Sequence, residues 1–143
     1  MAYTWLIYAL LSAVAASFVA IFGKIGLSGI DTNTATTIRA VVMAVFLIGL
    51  IVIEGKLQNI QPILLNSKAL FYIVLSGIAG ALSWLCYFVA LKSAKVSQVV
   101  PIDRMSVVFA LLLALFILGE KISLKAAIGA ALVVVGGILV ALG

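Results

Sequence analysis

The chain has 143 residues, 66% of them hydrophobic and 9% charged, which allows one domain and lies far outside the balance of a soluble globular protein. The formal charge of +5 comes from lysines in short links between apolar runs, where they read as headgroup contacts and orientation signals rather than as a nucleic-acid patch. There is no histidine and no glycine-rich phosphate loop, and the single cysteine, Cys86, has no partner in the chain, so no metal, cofactor or nucleotide site and no internal disulfide is expected.

Taken in order, five apolar runs predict an all-α integral membrane protein, one five-helix domain over residues 1–143. The first run, from about Tyr3 to Phe22, opens with Tyr3, Trp5 and Tyr8, suited to an interfacial aromatic belt. Ala13, Val14 and Ala15 resemble a signal-cleavage pattern, but no basic residue precedes the apolar core and the chain beyond is as hydrophobic. A retained helix is expected. After the glycine-bearing link Gly23 to Asp31, the second run extends from about Thr32 to Ile53, with Asp31 or Thr32 as N-cap and Arg39 about seven residues in.

The long link from Glu54 to Lys68 mixes Asn59, Gln61, Pro62 and Asn66 with Leu57, Ile60, Ile63, Leu64 and Leu65, which suits a short segment in the membrane interface. A third run follows from about Ala69 to Leu91, with Lys92 and Lys95 marking the turn after it. The fourth, Val96 to Leu118, is closed by Gly119, Glu120 and Lys121, and the fifth, from about Ala126 to Leu142, is near the lower limit for a span. An odd number of spans puts the two ends on opposite sides of the membrane.

The fourth run carries the most telling chemistry. Pro101, Asp103 and Arg104 interrupt it, and a charge near the middle of a membrane helix costs roughly 2.5 to 3.5 kcal/mol on insertion scales. Such residues are functional candidates by default. Pro101 removes a backbone donor and is expected to break the helix and leave a carbonyl open to a cavity. Arg39 and Asp103 each lie about seven residues into their runs, so at 1.5 Å per residue both fall roughly 10 Å below the same surface. An Arg39 to Asp103 pair would relieve the cost of burying each charge.

The third run ends on that side and brings Trp84 and Tyr87 near the same layer, on one helical face with Gly77, Gly80 and Leu91. Glycines at its deeper end are expected to admit a close neighbour. Asp103 and Ser106 share a face in the fourth run, and Arg39, Arg104 and Asp103 together carry a formal +1, favouring an anionic or zwitterionic ligand. In the fifth run Ala126, Ala130, Val133 and Gly137, with Gly129 and Gly136, form a small-residue stripe suited to helix contact, within the chain or between copies.

Orientation signals are nearly balanced. Lys56, Lys68, Lys121 and Lys125 fall on the N-terminal side against Lys24, Lys92 and Lys95 on the other, and adding Arg39 and Arg104 reverses the four-to-three count to four-to-five. Dual insertion is the expectation, with antiparallel pairing that builds from two copies the inverted repeat many transporters carry in one chain.

Several of these marks occur together in one family. Arg39 early in the second run, Tyr87 to Leu91 (YFVAL), Pro101 to Val108 (PIDRMSVV), Leu118 to Ser123 (LGEKIS) and the fifth run opening AAIGAAL resemble a single-repeat, five-helix EamA-type member of the drug/metabolite transporter superfamily, in its bacterial/archaeal transporter group. Met105 stands where that group usually has Leu. The resemblance covers nearly the whole chain and implies a secondary transporter in the cell (inner or plasma) membrane. It further implies export of a small-molecule substrate by alternating access, from an antiparallel homodimer in the lipid bilayer. The site would be lined by Arg39, Trp84, Tyr87, Asp103, Arg104 and Ser106, with Asp103 the only deep carboxylate able to carry a coupled proton. The alternatives are a partner-dependent lipid-handling or accessory subunit and a structural membrane protein. An enzyme is not expected, because no nucleophile and base constellation is visible.

Overall fold

The computed structural model describes residues 3–143. Within a bilayer the backbone must satisfy its own hydrogen bonds, and the chain does so with helices alone among the described residues. The helices are α1 (Thr4–Gly26), α2 (Thr32–Ile53), α3 (Ile60–Leu65), α4 (Ser67–Ser93), α5 (Val96–Asp103), α6 (Ser106–Leu113) and α7 (Leu124–Leu142). Among the described residues, five stretches are long and apolar enough to cross a membrane: α1, α2, α4, Val96–Leu118 and α7. Side chains along these spans, such as Phe46, Ile53, Phe109 and Phe116, are exposed, as the lipid-facing residues of a membrane protein are.

The chain gathers into two compact units, one of Ile25–Lys92 and the other of Met1–Lys24 with Ser93–Gly143. In the first, Asp31 is the N-cap of α2, its carboxylate accepting from Thr34 N–H at 2.8 Å and from Thr34 Oγ1 at 2.9 Å. These bonds favour the charged form and hold the Asp31 carboxyl below the ordinary aspartate value, with a smaller contribution from Lys92. Past α2, Gly55 turns the chain at φ 66°, and Lys56 pairs with Glu54 at 2.7 Å on the surface. The long link then forms a 3-10 turn at Leu57–Asn59 and the short α3, and its apolar Leu57, Ile60, Ile63 and Leu64 are exposed. The Asn66 side chain accepts from Ala69 N–H at 3.1 Å and so caps α4. At the far end of α4, Lys92 Nζ donates to the Ile30 carbonyl at 2.9 Å, which brings that end to the start of α2. The two helices run antiparallel.

In the second unit, Lys24 Nζ near the end of α1 donates to the Ala94 carbonyl at 2.8 Å, just before α5. Gln98 fixes the start of α5 twice. Its Oε1 accepts from Lys95 N–H at 3.2 Å, and its Nε2 donates to the Ala141 carbonyl at the end of α7 at 3.4 Å. Pro101 then meets Gly137 four residues back along α7, so α5 and α7 are antiparallel. After α6 the helix widens into a π turn at Ala114–Leu118 and stops at Gly119, whose φ of 68° suits glycine. Glu120 N–H donates back to the Ala114 carbonyl at 3.1 Å, completing the cap, and Ser123 Oγ opens α7 by accepting from Ala126 N–H at 3.2 Å.

Candidate functional site

The sequence places threonines before Arg39 on one face of α2, and the structure shows why that matters. Thr32 and Thr36 are buried, and Thr36 Oγ1 satisfies itself on the Thr32 carbonyl at 2.7 Å. One turn deeper, Arg39 is half-buried and turned onto α4, its Cζ 3.5 Å from the Trp84 ring centroid and 5.3 Å from that of Phe88. A guanidinium over an indole is the strongest of the common cation–π pairs, and it lowers the cost of a charge at this depth. Trp84 is itself held by neighbours: Tyr87 meets it edge-on at 5.6 Å and 86°, and Phe88 lies at 5.6 Å and 56°.

Within this unit Arg39 has ring faces for partners and no carboxylate. Asp31 is committed to Thr34 and Glu54 to Lys56. No buried side-chain nitrogen or oxygen among the described residues lacks a hydrogen-bond partner, so the guanidinium N–H groups, which make no bond within the unit, are not sealed off. The guanidinium also does not snorkel. It lies level with Trp84, nine residues inside the end of α4, which is roughly 13 Å along the helix.

The structure thus brings Arg39, Trp84 and Tyr87 together and adds Phe88, which the sequence reading did not single out. Phe88 follows Trp84 by one helical turn and is 3% exposed, a spacing that could have flagged it. Within this unit no neighbour approaches Gly77 or Gly80: a Cβ at either would meet nothing within 4 Å.

Pro101, Asp103, Arg104 and Ser106 belong to the other unit, where the fourth span is broken. The break falls later than Pro101, which lies inside α5; the helix ends at Asp103 and restarts at Ser106. Met105 N–H donates to the Ile102 carbonyl at 3.0 Å, one residue short of the α-helical acceptor at Pro101, and Val107 and Val108 repeat the shortened pattern. The Pro101 carbonyl, spared by Met105, faces α7. A Cβ on Gly137 would stand 2.9 Å from that oxygen, so only glycine permits this approach. Asp103, Arg104 and Ser106 are exposed around the break.

Of the small-residue stripe on α7, Ala130 and Gly137 are buried, whereas a Cβ at Gly129 or Gly136 would meet nothing within 4 Å. Ala127, Ala130, Ala131, Val134 and Val135 of α7 also line an apolar groove of about 390 Å³ with Val108, Leu111 and Leu112 of the fourth span. Among the described residues no group of three or more His, Cys, Asp or Glu side chains is placed to hold a metal.

Comparison with known proteins identifies the family. The profile of the EamA-like transporter family matches residues 3–142. The chain is 35% identical over 141 residues to a protein of Sinorhizobium sp described as an uncharacterized transporter in the cobO 3' region, covering 99% of both chains. No solved structure matches it.

Proposed function

Since the chain belongs to the EamA-like transporter family and is therefore a multi-pass membrane transporter and not an enzyme, we propose that it is a secondary exporter of a small metabolite in the cell membrane. The observation that carries this reading is Arg39: a charge kept well inside a span, seated on an indole, with its N–H donors open. A purely structural arginine at that depth would be expected to pair with a carboxylate or reach for the headgroups. Arg39 does neither within its unit.

In this reading Arg39, Trp84, Tyr87, Asp103, Arg104 and Ser106 take part in binding the substrate. Asp103 carries a coupled proton or locks an ion pair with Arg39, two roles that oppose one another because a persistent pair favours the ionised carboxylate. Two copies work as an antiparallel homodimer, each supplying one half of the inverted repeat, and access alternates as one protomer rocks against the other. The nearly even distribution of lysines between the two sides supports dual insertion.

Flux through proteoliposomes tests the reading. Wild-type protein is expected to move at least one anionic or zwitterionic metabolite in response to an imposed proton gradient, and Arg39→Gln and Asp103→Asn to lose that flux while remaining folded. Equal flux by the wild type and both variants would remove these residues from the mechanism. Reporters fused to the C-terminus test the pairing, since activity on only one side of the membrane would end the dual-insertion proposal.

A further inference from the structure

The cluster on α2 and α4 carries more information than the presence of a charge, because its geometry restricts what the charge can bind. The guanidinium is a flat fork whose donors all lie in its plane. With its Cζ 3.5 Å over the Trp84 ring and 5.3 Å from the Phe88 ring, one side of the guanidinium is taken up by rings. What remains open are the in-plane N–H groups, which match two coplanar oxygens on one carbon.

A second feature concerns the space beside the rings. Gly80 stands one turn deeper than Trp84 on the same face of α4, and Gly77 nearly another turn below it. A Cβ added at either glycine would meet nothing within 4 Å, so the helix surface beneath the indole is uncovered at both positions. The cluster therefore offers a polar fork at one level and a smooth apolar strip just below.

We infer that Arg39, backed by Trp84 and Phe88, is the receptor for the carboxylate of an organic anion, whose apolar body lies along Gly80 and Gly77. This deepens and rests on the transporter reading above by giving its substrate a chemical class. Cations are excluded by charge. A compact anion without an apolar body binds more weakly, since it leaves the strip beneath Trp84 uncovered.

The chain contains two tryptophans, so a Trp5→Phe variant leaves Trp84 as the sole indole reporter at the cluster. Its fluorescence is read on the purified full-length chain during titration with benzoate, with acetate and with benzylamine. The expected result is a saturable change with benzoate, at least tenfold weaker apparent affinity for acetate, and none for benzylamine. Adding Arg39→Lys, which keeps the charge and loses the stacked fork, is expected to weaken benzoate at least tenfold. Gly80→Leu, which fills the strip, is expected to weaken benzoate severalfold and acetate far less. Helical content by circular dichroism confirms that each variant is folded.

Benzylamine acting like benzoate, or Arg39→Lys binding benzoate as well as its parent, overturns the inference. Flux of a cationic or neutral solute by a protein blind to benzoate also overturns it and leaves the transporter reading standing. Benzoate binding with these variant effects in a protein that moves no solute upholds the receptor and removes the transporter reading.

Discussion

The α2–α4 pair and the broken fourth span solve the same problem in different currencies. Each must keep something polar inside an apolar environment. The first keeps a charge, Arg39, and covers it with the Trp84 ring at 3.5 Å; the second opens the backbone after Asp103 and covers the Pro101 carbonyl with the bare Cα of Gly137. An aromatic contact of this kind is adjustable, because side chains can swing. A backbone carbonyl against a glycine has no such tolerance, and substitution at the two places should differ accordingly.

The largest effect on stability is therefore expected at the rigid contact. Gly137→Ala sets a methyl carbon 2.9 Å from the Pro101 oxygen, and forcing α5 and α7 apart should cost about 1–3 kcal/mol. Gly136→Ala, one residue away with open space around it, should leave the Tm in detergent within error. If the two variants melt together, the close approach does not hold the unit.

The aromatic contact should show a smaller, separable energy. In a double-mutant cycle, Arg39→Gln and Trp84→Leu should couple by about 0.5–2 kcal/mol in thermal or denaturant unfolding. Additive effects would mean that the ring and the guanidinium merely lie side by side. Smaller again is Lys92→Met, which removes the bond to the Ile30 carbonyl at an exposed helix end and should cost about 0.5–1 kcal/mol.

The weakest effect is a pH dependence at the Asp31 cap. Its folded pKa is depressed by the bonds from Thr34, so its contribution is fully present above the ordinary aspartate value of 3.8 and is lost as pH falls through the folded value. Compared with Asp31→Asn, whose cap does not titrate, the wild type should lose Tm faster as the pH is lowered from about 4 toward about 2, below the ordinary aspartate value. Parallel curves for the two proteins would contradict that assignment.

Much of the architecture was legible because bilayer spans are written as uninterrupted apolar runs. The five spans fall where the runs do, and their ends shift only by residues that an apolar count cannot weigh: α1 continues past Phe22 through Lys24 to Gly26, and α4 runs from Ser67 to Ser93 around its lysines. The Asp31 cap and the Gly119 stop followed from ordinary capping chemistry. Matched depth on antiparallel helices was enough to bring Trp84 toward Arg39.

Other features depend on register that a single sequence does not state. Pro101 marked a missing donor, but where the helix gives way is decided by which carbonyl Met105 takes, and that placed the break at Arg104 and Met105. The five glycines and alanines of the stripe on the last span looked interchangeable. Only the three-dimensional fit separates Gly137, which meets a carbonyl, from Gly129 and Gly136, which meet nothing. Phe88 was hidden for a similar reason, because an aromatic in an apolar run reads as packing until its charged neighbour is located.

The central claim is that Arg39 and Asp103 serve a ligand rather than the fold alone. A thermal-shift panel of anionic, zwitterionic and cationic metabolites on the purified chain, with Arg39→Gln and Asp103→Asn alongside, tests it most directly. The expected result is an anionic or zwitterionic compound that raises the wild-type Tm and has no effect on either variant. Silence across the panel, with both variants simply melting earlier than the wild type, would contradict it and leave the two charges a structural role.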